Sequence, residues 1–174
     1  MGWTTIWSLD YQVGISNPNK RGRSFNSWYL QSSGSQAVLE RALVHERANK
    51  IRHFIWRATI DSLPTKKNLQ MRKIIQDPTC DWCGDDIKDR IHALWGCQMV
   101  KHVWWEMECC KKFLSEKFAS FQDLFQGILA QKNQQMAELF AYMGWSIWYN
   151  RNAKRVGSSS LPMEKLYNDA IEQL

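Results

Sequence analysis

At 174 residues the chain is long enough for one ordinary domain with its own core. A hydrophobic content of 44% and ten tryptophans exclude a disordered chain, and no apolar run reaches the roughly 18 residues of a membrane span. The net charge of +6 is focused: residues 41–73 hold nine cations (Arg41, Arg47, Lys50, Arg52, Arg57, Lys66, Lys67, Arg72, Lys73) against Glu46 and Asp61, and the rest of the chain is close to neutral.

The opening Met1-Gly-Trp-Thr-Thr-Ile6-Trp7 has no basic stretch followed by an apolar one, so no secretory signal is expected. Ile6 stands where a myristoylation pattern wants Ser or Thr. Residues 1–34 are rich in Gly, Ser and Asn, and Asn17-Pro-Asn-Lys-Arg-Gly-Arg23 reads as a loop. An irregular or short-β lead-in is expected here, with Trp3, Trp7, Trp28 and Tyr29 packing onto a helical body.

From Ser35 the apolar spacing turns helical, through Val38, Leu39, Ala42 and Leu43 and then Ile51, Phe54, Ile55 and Ala58. Leu63-Pro64-Thr65 punctuates, because the residue before proline is pushed out of helix. A short basic helix is expected from about Thr65 to Lys73. A focused basic segment of this kind is an electrostatic footprint for phosphate backbones; it is equally the solvated face of a helix.

Next comes the most specific motif in the chain. Cys80, Cys83, His92 and Cys97 follow the pattern C-x2-C, eight residues, H, four residues, C. Three thiols and one imidazole at this spacing match the ligand set of a closed tetrahedral zinc site. Gly84 suits the tight turn after the second thiol. Residues 92 and 97 lie about 140° apart on a regular helix, so one such helix cannot aim both at one metal. His92 is therefore expected near the end of a short helix, Gly96 at the break, and Cys97 opening the next helix. Asp85, Asp86 and Asp89 are read as solvated loop residues or as partners around the ligands. A catalytic zinc keeps an open position, and four protein ligands leave none.

Beyond the motif, Val100, Val103, Trp104 and Met107 mark an amphipathic helix. Ser120 and Asp123 have capping-box spacing, ahead of an apolar face of Leu124, Phe125, Ile128 and Leu129. A long helix is expected from Asn133 to Val156 on Met136, Leu139, Phe140, Met143, Ile147 and Trp148, with Gly157 as its stop. Pro162 suits the first turn of a last helix carrying Leu166, Ala170 and Leu174. The chain thus reads as mostly α: a compact helical domain over 35–174 with one structural zinc near its middle, at 80–97, and no internal repeat. Three of five cysteines are claimed by the metal. Cys109 and Cys110 are adjacent and unsuited to an ordinary bridge, so a reducing intracellular compartment, nucleus or cytoplasm, is expected.

The segment from Ile51 to Arg72 carries Phe54-Ile-Trp56-Arg57-Ala58, Leu63-Pro64-Thr65, Asn68-Leu69 and Arg72. With the metal motif, Trp104 and Trp145-Ser-Ile-Trp148-Tyr-Asn-Arg151-Asn152, it resembles the zinc-binding domain associated with plant non-LTR (LINE-type) reverse transcriptases. The resemblance spans roughly residues 50–152. Departures are Glu46–Lys50 in place of a proline-containing segment, Lys88 in place of an acid, and residues 24–30, which resemble the family's start only faintly. In such elements the domain follows the polymerase and often precedes a ribonuclease H domain. This chain has no Tyr-x-Asp-Asp polymerase signature. The resemblance therefore implies a module standing without its catalytic neighbours, truncated or domesticated.

The leading functional expectation is an accessory module that binds RNA or an RNA–DNA hybrid. Arg52, Arg57, Lys66, Lys67, Arg72 and Lys73 are the candidate phosphate contacts, and Trp82 is the candidate stacking residue. Trp95 and Trp56 are read as core. The alternative is a zinc-stapled protein-interaction module with no nucleic-acid role, whose partners would be reverse transcriptase or ribonuclease H domains of a parent element, or a second copy. An enzyme is the least supported reading. Besides a redox Cys80–Cys83 pair, His45, His53 and His102 are its only candidates, without a Ser-His-Asp order, a Gly-rich phosphate loop or paired carboxylates.

Overall fold

The computed structural model describes residues 46–84 and 89–172. The expected lead-in over 1–34 with its aromatics, the helical stretch opening at Ser35, and Asp85, Asp86 and Lys88 lie outside the described residues. Among the described residues the fold is helical, with no β-strand.

Helix α1 spans Glu46–Thr59 and buries Ile51, Phe54, Ile55 and Ala58, the i, i+3, i+4, i+7 stripe legible in the sequence. It ends without glycine. Asp61 takes the left-handed conformation (φ 55°) and Ser62 N–H donates to the Arg57 carbonyl at 2.9 Å, the 6→1 bond of a Schellman stop. Short helix α2, Lys66–Met71, is capped by Thr65, whose hydroxyl accepts from Asn68 N–H. Asn68 is buried and its amide donates to the carbonyls of Asp61 and Leu63, at 3.0 and 2.8 Å. One side chain therefore satisfies two carbonyls of the α1–α2 connection.

The π-helical turn His92–Gly96 leads into α3, Gln98–Trp105, for which Cys97 is the N-cap residue. Helix α4, Glu108–Lys111, follows directly. Helix α5, Phe121–Leu129, starts at Ser120, whose hydroxyl accepts from Asp123 N–H at 3.1 Å and donates to the Asp123 carboxylate at 2.8 Å. Helix α6, Gln134–Arg155, is capped by Asn133. It closes in a second Schellman motif, with Gly157 at φ 70° and Ser158 N–H donating to the Ala153 carbonyl. Helix α7, Met163–Glu172, begins immediately after Pro162 and buries Leu166 and Ala170.

The sequence suggests a single apolar face for α6. The structure instead makes it the central helix, buried nearly all round from Leu139 to Ala153, with α1, α5, α7 and the π turn packed against it. Around Phe140 stand Trp104 (4.7 Å between ring centroids), Phe125, Phe121 and Trp95. Trp95 is thus core, as expected, whereas Trp56 is only half-buried. Gly144 lets α1 approach α6: a β-carbon there would meet the Phe54 ring at 3.3 Å.

Candidate metal centre

Cys80 and Cys83 sit on a tight turn closed by Gly84 N–H donating to the Cys80 carbonyl at 2.8 Å, with Gly84 at φ 76°. The turn is built from both sides. Upstream, the Asp77 carboxylate accepts from the Thr79 N–H and hydroxyl. Below, Lys66 reaches from α2 to Asp81 at 2.5 Å and to Asp77 at 3.7 Å.

The second pair is delivered by a device the sequence did not suggest. His92 does not end a helix; it opens the π turn, and Cys97 N–H donates back to the His92 carbonyl at 2.9 Å. Widening the turn to an i→i+5 bond brings residue 97 round onto the side of residue 92, which removes the 140° conflict of a regular helix. Gly96 ends the π turn, and Cys97 opens α3 as expected. Asp89 caps this unit: its carboxylate accepts from His92 N–H at 2.8 Å and its carbonyl from Ala93 N–H.

The four donor atoms lie within 4.8 Å of one another. Cys80 Sγ and Cys97 Sγ are 3.9 Å apart, and Cys83 Sγ and His92 Nε2 are 3.4 Å apart. A tetrahedron with zinc–sulfur bonds of about 2.3 Å and zinc–nitrogen bonds of about 2.0 Å has edges of roughly 3.5–3.8 Å, so the donor set fits the ion. Cys80, His92 and Cys97 are buried and Cys83 is partly exposed.

Two of the three thiols are held below their ordinary range. Burial alone would push Cys80 up, but the backbone N–H groups of Cys83 and Trp82, the His92 ring and the Arg151 guanidinium outweigh it, and its thiol lies below the ordinary range. At Cys97 burial is likewise outweighed, chiefly by Arg151, and the thiol is lowered.

Arg151 is the residue that sequence reasoning left without a role. It is 1% exposed, on the central helix, and its Nη2 donates to Cys80 Sγ at 2.8 Å. Its guanidinium lies 4.3 Å from the Trp82 ring centroid. A signal was present: Arg151 continues the stripe Met143, Ile147 at i+4 spacing, a cation on a buried face.

The candidate phosphate contacts divide. Arg57 Nη2 donates to the Ser62 carbonyl at 3.0 Å and Arg52 donates to Asn49. Lys66 is held by Asp77 and Asp81, and Lys67 lies 3.9 Å from Asp89. Arg72 and Lys73 are exposed at the end of α2. Trp82 has Arg151 against its ring and Lys154 at 5.7 Å. Arg155 Nη1 donates to the Pro64 carbonyl at 3.4 Å, so the end of α6 adds two cations beside α2 and the zinc turn.

A helical scaffold closing four protein ligands around one zinc defines a zinc-binding module. Residues 24–104, a little under half of the chain, match the model of a domain described as zinc-binding in reverse transcriptase, and Cys80, Cys83, His92 and Cys97 all lie inside the matched stretch. That domain is an accessory to the polymerase rather than its catalytic part. No curated protein and no solved structure matches the chain. No helix among the described residues is long and apolar enough to cross a membrane.

Proposed function

We propose that this chain is a non-catalytic, zinc-stapled module that binds nucleic acid, RNA or an RNA–DNA hybrid, and that it derives from a plant LINE-type reverse transcriptase. Its place of action would be the reducing interior of the cell, in the nucleus or cytoplasm. The observation that carries the reading is the placing of exposed cations after α2 and of further cations beside the zinc turn. Arg72 and Lys73 end α2, Lys154 stands over Trp82, and Arg155 lies on Pro64. Phosphate oxygens are the ligands such a cluster suits. Non-catalytic character is supported by the four protein donors, which leave the metal no position for substrate.

The ion pairs of Lys66 and Lys67 lower the number of phosphates the surface can neutralise. Three or four contacts correspond to a log–log salt slope of roughly −2 to −3 on a single strand. Fluorescence anisotropy of the zinc-loaded chain with labelled RNA and RNA–DNA hybrid, titrated with salt, should give that slope. Arg72→Glu with Lys73→Glu should flatten it. A slope near zero would contradict the reading.

One observation favours a second reading, a protein-interaction module. On α3, Trp105 is 60% and Met99 46% exposed, two large apolar side chains left in water. Binding partners would then be neighbouring reverse transcriptase or ribonuclease H domains, or a second copy. Sedimentation of Trp105→Glu against the parent chain separates the cases.

A further inference from the structure

Zinc brings two positive charges to three thiolates and a neutral imidazole. The loaded centre is therefore one unit negative, with Cys80 and Cys97 buried and His92 only 9% exposed. A buried net charge is costly unless an opposite charge stands against it. Arg151 is the charge that meets it. It is buried, it touches Cys80 at 2.8 Å, and it lies 3.9 Å from Cys97, so it faces one ligand from each half of the motif. Among the described residues its Nε and Nη1 have no hydrogen-bond partner, so the thiolates, with the Trp82 ring, are its main compensation.

We propose that Arg151 is a positioning residue of the zinc centre: its guanidinium neutralises the anionic Cys3His cluster and makes zinc loading the condition for docking the C-terminal turns of α6. The dependence runs both ways. Without the ordered ligand sulfurs, only the Trp82 ring stands against the Arg151 guanidinium. Without Arg151, the loaded centre is a buried anion. The zinc unit thereby extends past the stretch 24–104 to the end of α6. Zinc loading also sets where Lys154 and Arg155 stand, because they follow Arg151 on the same helix.

The test uses the full chain with Arg151→Met and Arg151→Lys. Zinc affinity is read by competition with a chromogenic chelator, and thermal unfolding is recorded in parallel. Loss of charge should weaken zinc binding by about 10- to 100-fold, the range for partners just outside the ligand shell. Arg151→Lys, which keeps the charge, should recover most of it. Equal loss in both variants, or zinc affinity unchanged in a destabilised Arg151→Met, would overturn the proposal. A second readout needs no variant. With cadmium-113 in place of zinc, the parent chain should show a slowly exchanging Arg151 guanidinium proton with scalar coupling to the metal through Cys80. A rapidly exchanging Arg151 without that coupling would overturn the proposal as well.

Discussion

The indole N–H of Trp104 donates to the carbonyl of Leu94 at 2.7 Å. Leu94 lies in the π turn between two zinc ligands, and Trp104 is fully buried one helix later. This bond fastens α3 onto the turn that aims His92 and Cys97. Trp104→Phe keeps most of the stacking on Phe140 and leaves the Leu94 carbonyl without its indole donor. A cost of about 1–3 kcal/mol is expected, against about 3–5 kcal/mol for Trp104→Ala. Urea unfolding of zinc-loaded chains measures both, and a Trp104→Phe cost near zero would show that packing alone matters.

Asn150 holds the turn between α6 and α7. Its amide donates to the Leu161 carbonyl at 2.6 Å, and its side-chain oxygen accepts from Leu161 N–H at 2.8 Å. Asn150→Ala should cost about 1–3 kcal/mol, since the group is buried, and should raise hydrogen exchange at Leu161. Unchanged exchange there would show that the clamp is dispensable.

His53 gives a pH dependence with a definite sign. Burial, then the charges of Arg57 and Arg52, holds its imidazole below the ordinary 6.5. The folded chain refuses a proton that the unfolded chain accepts near that value. The contribution is fully present above pH 6.5 and is lost as pH falls through the depressed folded value. His53→Gln should therefore gain on the parent chain as pH is lowered below 6.5, in parallel urea titrations with zinc. A constant difference would contradict the assignment.

Cys109 and Cys110 are free, with sulfurs 3.8 Å apart. Cys110 is buried and its thiol is pushed far up by its neighbour's sulfur and by burial. Cys109, accepting from Cys110 and near Lys112, lies below the ordinary thiol range. Iodoacetamide on the zinc-loaded chain should mark Cys109 first, and chelation should then open Cys80, Cys83 and Cys97. Early labelling of Cys110 would reverse the order.

Much of this was legible because local chemistry and tertiary structure agree. The ligand quartet, the Ser120 cap, the start of α6 near Asn133, the Gly157 stop and the buried stripe of α1 follow from spacing and side-chain chemistry. What was not legible depends on contacts far apart in the chain. The π turn replaces a helix break because two ligands must share one metal. Asp61 stops α1 without glycine because Asn68 satisfies its carbonyl from seven residues away. The burial of α6 nearly all round between Leu139 and Ala153, and the role of Arg151, require knowing which elements surround it; the i+4 stripe through Met143 and Ile147 was the only local sign. The basic run 41–73 looked uniformly available, but the acids that hold Lys66 and Lys67 come from the zinc turn and the Asp89 cap.

The central claim is that one zinc, held by Cys80, Cys83, His92 and Cys97, is a condition of the fold. Native mass spectrometry of the purified chain, alongside far-ultraviolet circular dichroism, tests it with a strong chelator and with Cys80→Ser. The account predicts one zinc per chain, and loss of both metal and helicity under either treatment, since structural zinc supplies on the order of 10 kcal/mol of folding free energy. A metal-free chain with its helicity intact would contradict it.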